Sequence, residues 1–450
     1  MLALISDLHL CDATASDNVN PDAFEKILLT ALLGNALPRG AKEIRLVLLG
    51  DIYDLVRTSQ WFKDQHTGKS IPPNERPWNG KIDPATGMNR NVKKIEAHFR
   101  RILKDTLEAT PHLVRLANKA AQATRLPTTV HYVIGNHDRA LHNFPSLQKM
   151  IQDAFAPVAV EFSRSVHWPE YGTHARHGHE WDENCVATLL LREVLRRDRR
   201  WDPLDPEIGP HIDRVMAIGE VVTAELMAGL TFHLAESGRP DLAKDIKDVN
   251  DLRPIIDVFL WLEWMFRKFG QPEKDALTHA LIQSISGVVD SEFGKLWDEV
   301  QADWLVSGDL VDRLQLARAQ LEDGGYDRLR DFAEKVVPIA DFLTPDRDPL
   351  FEGARREFDT RLAPEIQYLF YGHTHEARHD FFSNPAGRTA RLYVNTGTFQ
   401  PLIQRTADGK IFCKAHRMTM AFVYRKDETP KGASRNGPAL DLWSGIKRAD

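Results

Sequence analysis

Five short clusters hold most of the side chains in this sequence that could do chemistry. They are Asp7-Leu8-His9, Gly50-Asp51-Ile52-Tyr53-Asp54, Gly135-Asn136-His137-Asp138, His177-Gly178-His179-Glu180 and Gly372-His373-Thr374-His375. Together they offer four Asp, one Glu, one Asn and six His. Carboxylates mixed with imidazoles suit Mn, Fe, Zn, Ni or Co, which take oxygen and nitrogen ligands together. The set is too large for one ion with open positions. With some members in supporting roles, it suits two ions sharing a bridging carboxylate. Such a centre generates hydroxide near neutral pH and clamps both ends of an in-line displacement at phosphorus. In Asp7-x-His9 and His373-x-His375 the candidate ligands are spaced by two, and on an extended segment such positions point the same way. Glycines at 50, 135, 178 and 372 allow tight turns and close backbone approach. A single Asp or His after a strand is more often a turn or cap residue, so the weight rests on the clusters taken together.

The elements that must position these clusters are legible as short apolar runs. Leu2–Ile5, Ile44–Leu49, Thr128–Ile134, Gln367–Tyr371 and Leu392–Val394 read as strands buried on both faces of a sheet, and most of the clusters sit just after one. Loops beyond the carboxyl ends of strands are where α/β folds bind ligands. Helical patterns over Pro21–Leu33 and Asn91–Ala121 alternate with the strands, which indicates an α/β domain. Arg57–Arg90, rich in proline and without periodicity, reads as a long loop of the kind that is often functional or mobile.

From Glu183 to Pro345 strand signals vanish and helix-compatible runs take over. They are Val186–Arg200, Ile212–Ala235, Ile255–Phe269, Lys274–Val288, Leu310–Leu321 and Tyr326–Val337, punctuated by prolines. The expected organisation is one α/β domain over 1–182 and 346–426, a helical insertion over 183–345, and a loosely held polar tail over 427–450.

The chain has 450 residues, 42% of them hydrophobic and 27% charged, as in an ordinary globular protein. Its formal net charge of -6 does not indicate a general nucleic-acid-binding surface. Cys11, Cys185 and Cys413 are too few and scattered for a disulfide framework, which suggests a reducing, cytoplasmic setting. No secretory signal is visible at the N-terminus. The apolar stretch Ile255–Phe266 carries Asp257 and Glu263 and is too short to span a bilayer.

In order and content, the five clusters resemble the motifs of the calcineurin-like metallophosphoesterase family. The resemblance runs from Asp7 to His375 and leaves the helical insertion uncovered. It implies a four-layer αββα sandwich, to which the insertion adds a cap near the active-site mouth. It also implies a dinuclear-metal-dependent phosphoesterase that hydrolyses a phosphodiester, phosphomonoester or pyrophosphate through metal-activated hydroxide. The implied cofactors are two divalent transition-metal ions, manganese among the candidates. Asp7, His9 and His375 would hold the first ion; Asn136, His177 and His373 would hold the second; Asp51 would bridge them. His137 would face the substrate as a transition-state donor or general acid, oriented by Asp54. At the fourth motif His177 is the assigned ligand, His179 is left to a supporting or substrate role, and His174 is a weaker candidate. Gly-Asp-Ile-Tyr-Asp and the aromatic insertion are similar to the family's sugar-nucleotide lipid pyrophosphatases. Phosphoprotein phosphatases are less similar, because they carry Arg where Leu55 stands. A catalytically inactive scaffold or binding protein on the same fold is the alternative.

Four further features have plain explanations beside functional ones. The run Arg192, Arg196, Arg197, Arg199 and Arg200 could bind phosphate, but it reads better as a solvated helix face. Phe259-Leu260-Trp261-Leu262 with Trp264, Met265 and Phe266 could grip an acyl chain or lipid surface, but it reads better as bundle core. Cys11 would share the face of His9 on an extended segment, yet a small buried role is expected. Asn395–Thr398 forms either a simple turn or a support for the metal loops.

Overall fold

The computed structural model describes residues 1–83, 85–187, 190, 204, 209–253, 257–300, 309–329, 331, 348–384, 390–429 and 437–448. It is a mixed α/β protein. The strands are β1 (Leu2–Ile5), β2 (Ile44–Leu49), β3 (Ile82–Asp83), β4 (Met88–Asn89), β5 (Thr128–Val133), β6 (Ala159–Ser163), β7 (Ser165–Trp168), β8 (Thr173–Arg176), β9 (Tyr368–Tyr371), β10 (Ala377–Phe382), β11 (Arg391–Thr396), β12 (Pro401–Arg405), β13 (Phe412–Tyr424) and β14 (Ala439–Arg448). A seven-stranded sheet runs β12-β13-β1-β2-β5-β6, with β14 also pairing β13. A five-stranded sheet runs β10-β11-β9-β8-β7, and β3 with β4 makes a small hairpin. β1, β2, β5 and β6 are mutually parallel, as are β8, β9 and β11.

The short apolar strands are buried on both faces, and alternation along each one decides what each face meets. Leu2, Leu4, Val47, Leu49 and Val133 form one cluster with Val166, Ala175, Phe370 and Val394 of the second sheet. Ala3, Ile5, Leu46, Leu48 and Tyr132, between them, pack instead with Phe24, Leu28, Leu113 and Leu116. These last four come from the helices Pro21–Ala36 and His112–Thr124. Across the far face of the second sheet, Leu369, Tyr371 and Tyr393 pack on Leu350, Ala354 and Phe358 of the helix Pro349–Thr360.

Two expectations need correction, and the Arg57–Arg90 loop gains detail. The helical pattern read across Asn91–Ala121 is two helices, Val92–Ala109 and His112–Thr124. Pro111 cannot continue the first, because it lacks an amide hydrogen and crowds the preceding turn. Arg57–Arg90 has little regular structure but is packed: Trp61, Phe62 and Trp78 are at most 1% exposed. Phe62 stacks on Phe232 at 4.8 Å between ring centroids. Trp78 Nε1 donates to Glu225 at 2.6 Å. Finally, the residues read as a loose tail include β14, which pairs antiparallel with β13 from Ala439↔Tyr424 to Arg448↔Ala415.

Among the described residues of 183–345 there are helices and no strand. Ile212–Ala235 is realised as Gly209–Ile212 followed by a continuous helical run, Ile218–Glu236. Helices Val258–Phe266, Gln271–Val289 and Leu310–Gly324 occupy three further runs. Most of Val186–Arg200, with its arginine run, and most of Tyr326–Val337 lie outside the described residues. In the aromatic helix, Phe259, Trp261, Leu262 and Phe266 are buried in the main core. Among the described residues only Ile218–Glu236 is long and apolar enough to cross a membrane, and 67% of its apolar window is buried inside the protein. All three cysteines are free, and Cys11 is buried.

Candidate metal centre

The loops carrying the five clusters leave the carboxyl ends of β1, β2, β5, β8 and β9, so both sheets deliver residues to one rim. Backbone hydrogen bonds stitch the loops together. Asp7 N donates to Gly50 O at 3.1 Å, His9 N to Asp51 O at 2.9 Å, and Gly372 N to His177 O at 2.9 Å. Two carboxylates cross between loops as well. Asp51 Oδ1 accepts from His137 N at 2.9 Å, and Asp7 Oδ2 accepts from His373 N at 2.9 Å. A Cβ added to Gly372 would collide with the Asp7 carboxylate and with Ser6, which is why glycine stands there.

The extended geometry expected for Asp7-x-His9 and His373-x-His375 does not occur. β1 stops at Ile5 and β9 at Tyr371. Asp7, His9, Asp51, His373 and His375 have φ of 51°, 43°, 53°, 74° and 63°. This left-handed region is uncommon for residues with a Cβ, and strained backbone of this kind clusters at functional sites. The curled chain still brings the paired side chains together. Cys11 Sγ lies 3.4 Å from Ser16 O, in a buried packing role.

All the predicted site residues meet. Asp7, His9 and His375 place one donor atom each within 4.8 Å of one another, and Asp51, His177 and His373 do the same. Asn136 Oδ1 joins the second group, 3.1 Å from His177 Nε2. Asp51 Oδ2 is 3.2 Å from His177 Nε2 and 3.8 Å from His9 Nε2, so one carboxylate faces both groups. Asp54 Oδ2 lies 2.8 Å from Nδ1 of His9 and 2.8 Å from Nδ1 of His137. It therefore positions a candidate ligand as well as the candidate donor.

The donor set fits cations. His177 Nδ1 donates to Leu49 O at 2.7 Å and His9 Nδ1 to Asp54 at 2.8 Å. In neutral rings this leaves both Nε2 atoms as lone-pair acceptors. They point at carboxylates, an amide oxygen and, for His9, at His375 Nε2 2.8 Å away. His373 Nδ1 is buried without a hydrogen-bond partner, while its Nε2 meets Asp182 Oδ2 at 3.0 Å. Acceptors converging on acceptors need positive charge between them, from protons or from metal ions. A metal ligand held by a carboxylate through its other nitrogen is a common supporting arrangement.

The electrostatics agree with this. Burial pushes Asp7 up to about 6, against the pull of His177. Burial and the nearby Arg57 charge push His9 down to about 3. His177 rises to about 10, because Asp51 and Asp7 outweigh its desolvation. Burial also opposes the His137 imidazolium, but Asp54 and Asp51 more than offset it and its pKa is raised. Asp54 stays well below the carboxylate range, since His137, His9 and Arg57 overcome its burial.

The remaining candidates now have positions. His179 packs beside His177 at 5.4 Å between ring centroids, and its buried Nδ1 has no hydrogen-bond partner. His174 belongs to a separate buried network with Arg176 and Glu357. Asn395–Thr398 supports the loops: Asn395 Nδ2 donates to Gly372 O at 2.6 Å and Thr398 Oγ1 to Asp7 O.

Three residues at the site have no place in the five motifs. Asp182 holds His373. Arg57 Nε is 3.2 Å from Asp54 Oδ2. Arg253 donates to the His375 ring, 2.6 Å from Nδ1 and 3.0 Å from Nε2. Arg57 follows Asp54 by one helical-turn spacing and could have been suspected, whereas nothing local marks Asp182 or Arg253.

No protein-family model matches the chain, and no curated protein matches it significantly.

Proposed function

We propose that the chain is a dinuclear-metal-dependent phosphoesterase with the four-layer αββα arrangement of the calcineurin-like metallophosphoesterases. The observation that carries this is the Asp51 carboxylate, which faces two separate groups of inward-pointing acceptors. Asp7, His9 and His375 would hold one divalent transition-metal ion and Asn136, His177 and His373 the other, with Asp51 shared. Bound there, the ions would supply Lewis acidity to the attacking water and to the phosphoryl oxygens.

The chain's own residues would do the rest. His137 is 12% exposed, at the open side of the site. Asp54 and Asp51 favour its protonated form, so Nε2 can hold a proton for the leaving oxygen or for the transition-state charge. Asp54 fixes the Nδ1 tautomer of His9 and so keeps its Nε2 lone pair turned inward. Gly135 and Gly372 let the loops close around the Asp51 and Asp7 carboxylates, and Gly50 leaves room for the His177 ring.

The test is metal analysis of protein purified without chelator, followed by a panel of monoesters, diesters and pyrophosphates assayed with Mn, Ni, Zn and Mg separately. The reading expects about two transition-metal ions per chain, the count a two-metal site needs, and hydrolysis of at least one class. Absence of both would leave the scaffold alternative standing.

A further inference from the structure

Arg253 reaches the candidate centre from the helical segment. Lys247 Nζ donates to Ala13 O at 2.7 Å and Asn250 Nδ2 to Ala15 O at 3.2 Å, which seats the segment on the loop beyond His9. Leu252 bridges Ile403, and Arg253 N donates to Ile403 O at 3.0 Å. The guanidinium is thereby fixed from both sides. One nitrogen donates to Leu252 O at 2.6 Å and Asn250 O at 3.2 Å; the other turns to His375.

Its charge has no carboxylate partner among the described residues. Asp251, the nearest acid in sequence, pairs with Lys414 at 3.4 Å. Two buried arginines differ, since Arg139 holds Glu220 at 2.6 Å and Arg176 holds Glu357 at 2.9 Å, whereas buried Arg391 is held by the backbone carbonyls of Leu362 and Ala363. Arg253 is partly buried, and holding even part of a guanidinium out of water without an anion is costly. Metal binding at His375 would break this contact, because once one ring nitrogen gives its lone pair to an ion the other carries the proton and cannot accept from Arg253. The freed N–H edge then faces the centre, with Arg57 adding positive charge on the Asp54 side.

We infer that Arg253 is a substrate-binding residue, contributed by the helical segment, that grips a non-bridging oxygen of the substrate's phosphoryl group. Planar, paired donors suit a phosphoryl anion. The inference rests on the phosphoesterase reading and assigns the helical segment a direct part in holding substrate.

The test uses the full chain loaded with Mn, with inorganic phosphate as the probe. Calorimetry measures phosphate affinity for the parent, Arg253→Ala and Arg253→Lys, with metal content measured alongside. The expected result is unchanged metal content and phosphate binding weakened on the order of 10- to 100-fold in Arg253→Ala, the scale of a lost charged hydrogen bond. Arg253→Lys should recover part of it. Phosphate affinity within twofold of the parent would overturn the inference, and so would loss of metal in Arg253→Ala, which would make the arginine a support for His375. A metal-loaded parent that neither binds phosphate nor cleaves any ester would remove the phosphoesterase reading itself, and this role with it.

Discussion

Replacing Asp54 by Asn tests how the centre is wired. The carboxylate is fully buried. Its Oδ1 accepts from Val56 N at 3.1 Å and Arg57 N at 2.9 Å. Its Oδ2 accepts from Nδ1 of His9 and lies 2.8 Å from Nδ1 of His137. In the variant the amide oxygen should keep the two backbone donors, which leaves the amide nitrogen facing the two imidazoles. A donor then meets a donor, and His9 must move its proton to Nε2, the atom aimed at Asp7, Asp51 and His375. The first donor group loses a lone pair. Changes to such supporting contacts cost ten- to hundredfold in metal affinity, about 1.4 to 2.7 kcal/mol. His137 loses the charge that favours its protonated form, so turnover at saturating metal should fall by a further factor of about 100 or more. The assay is metal titration of aryl phosphodiester hydrolysis, paired with metal content and nitrogen NMR of the imidazole tautomers. Wild-type metal affinity and turnover in a folded Asp54→Asn protein would refute the wiring.

Other outcomes follow from the same geometry. His137→Ala should lower turnover roughly a hundredfold or more while leaving metal content intact; parallel loss of metal would make His137 a ligand. Asp51→Asn should reduce occupancy at both sites, because the same carboxylate faces both groups, and loss of only one ion would contradict a shared role. Gly372→Ala should lower metal affinity with little change in secondary structure, since the new methyl would meet Asp7 and Ser6; a variant that loads metal normally would count against the close approach. Stability should also fall in mild acid because of His233. Burial, with Arg76 nearby, holds this ring down to about 4, against an ordinary 6.5. The unfolded chain therefore takes the proton first. Stability present above pH 6.5 is lost as pH drops towards 4, by no more than about 1.4 kcal/mol per unit. The ring is partly exposed, so the effect is smaller still. Melting curves of His233→Phe should be flatter across that window, and an identical slope would exclude the assignment.

The strands that carry the site were legible because burial on both faces demands unbroken apolar runs: Leu2–Ile5 and Ile44–Leu49 have the bounds read from sequence. The five polar clusters were legible because their residue types are out of place beside such strands. What escaped notice has physical reasons. β14 is a paired strand in a stretch that mixes Asp441, Trp443 and Lys447, and the backbone ladder along β13 holds it where side-chain burial is weak. Backbone dihedrals at Asp7 and His9 depend on loop closure against Gly50 and Asp51, a tertiary effect with no local signal. Arg253 reaches His375 across 122 residues of chain, and only the folded path shows it.

The left-handed backbone at five of the candidate ligands has a consequence for how this sequence can drift. Asp, Asn and His tolerate that conformation better than most residues, and glycine adopts it freely. Coordination and backbone thus ask for overlapping residue types. A descendant that gave up metal could keep its loops intact by substituting Asn or Gly, whereas Val, Ile or Thr would disturb the fold as well as the chemistry. Inactive descendants of this chain should therefore be marked by asparagine and glycine at positions 7, 9, 51, 373 and 375.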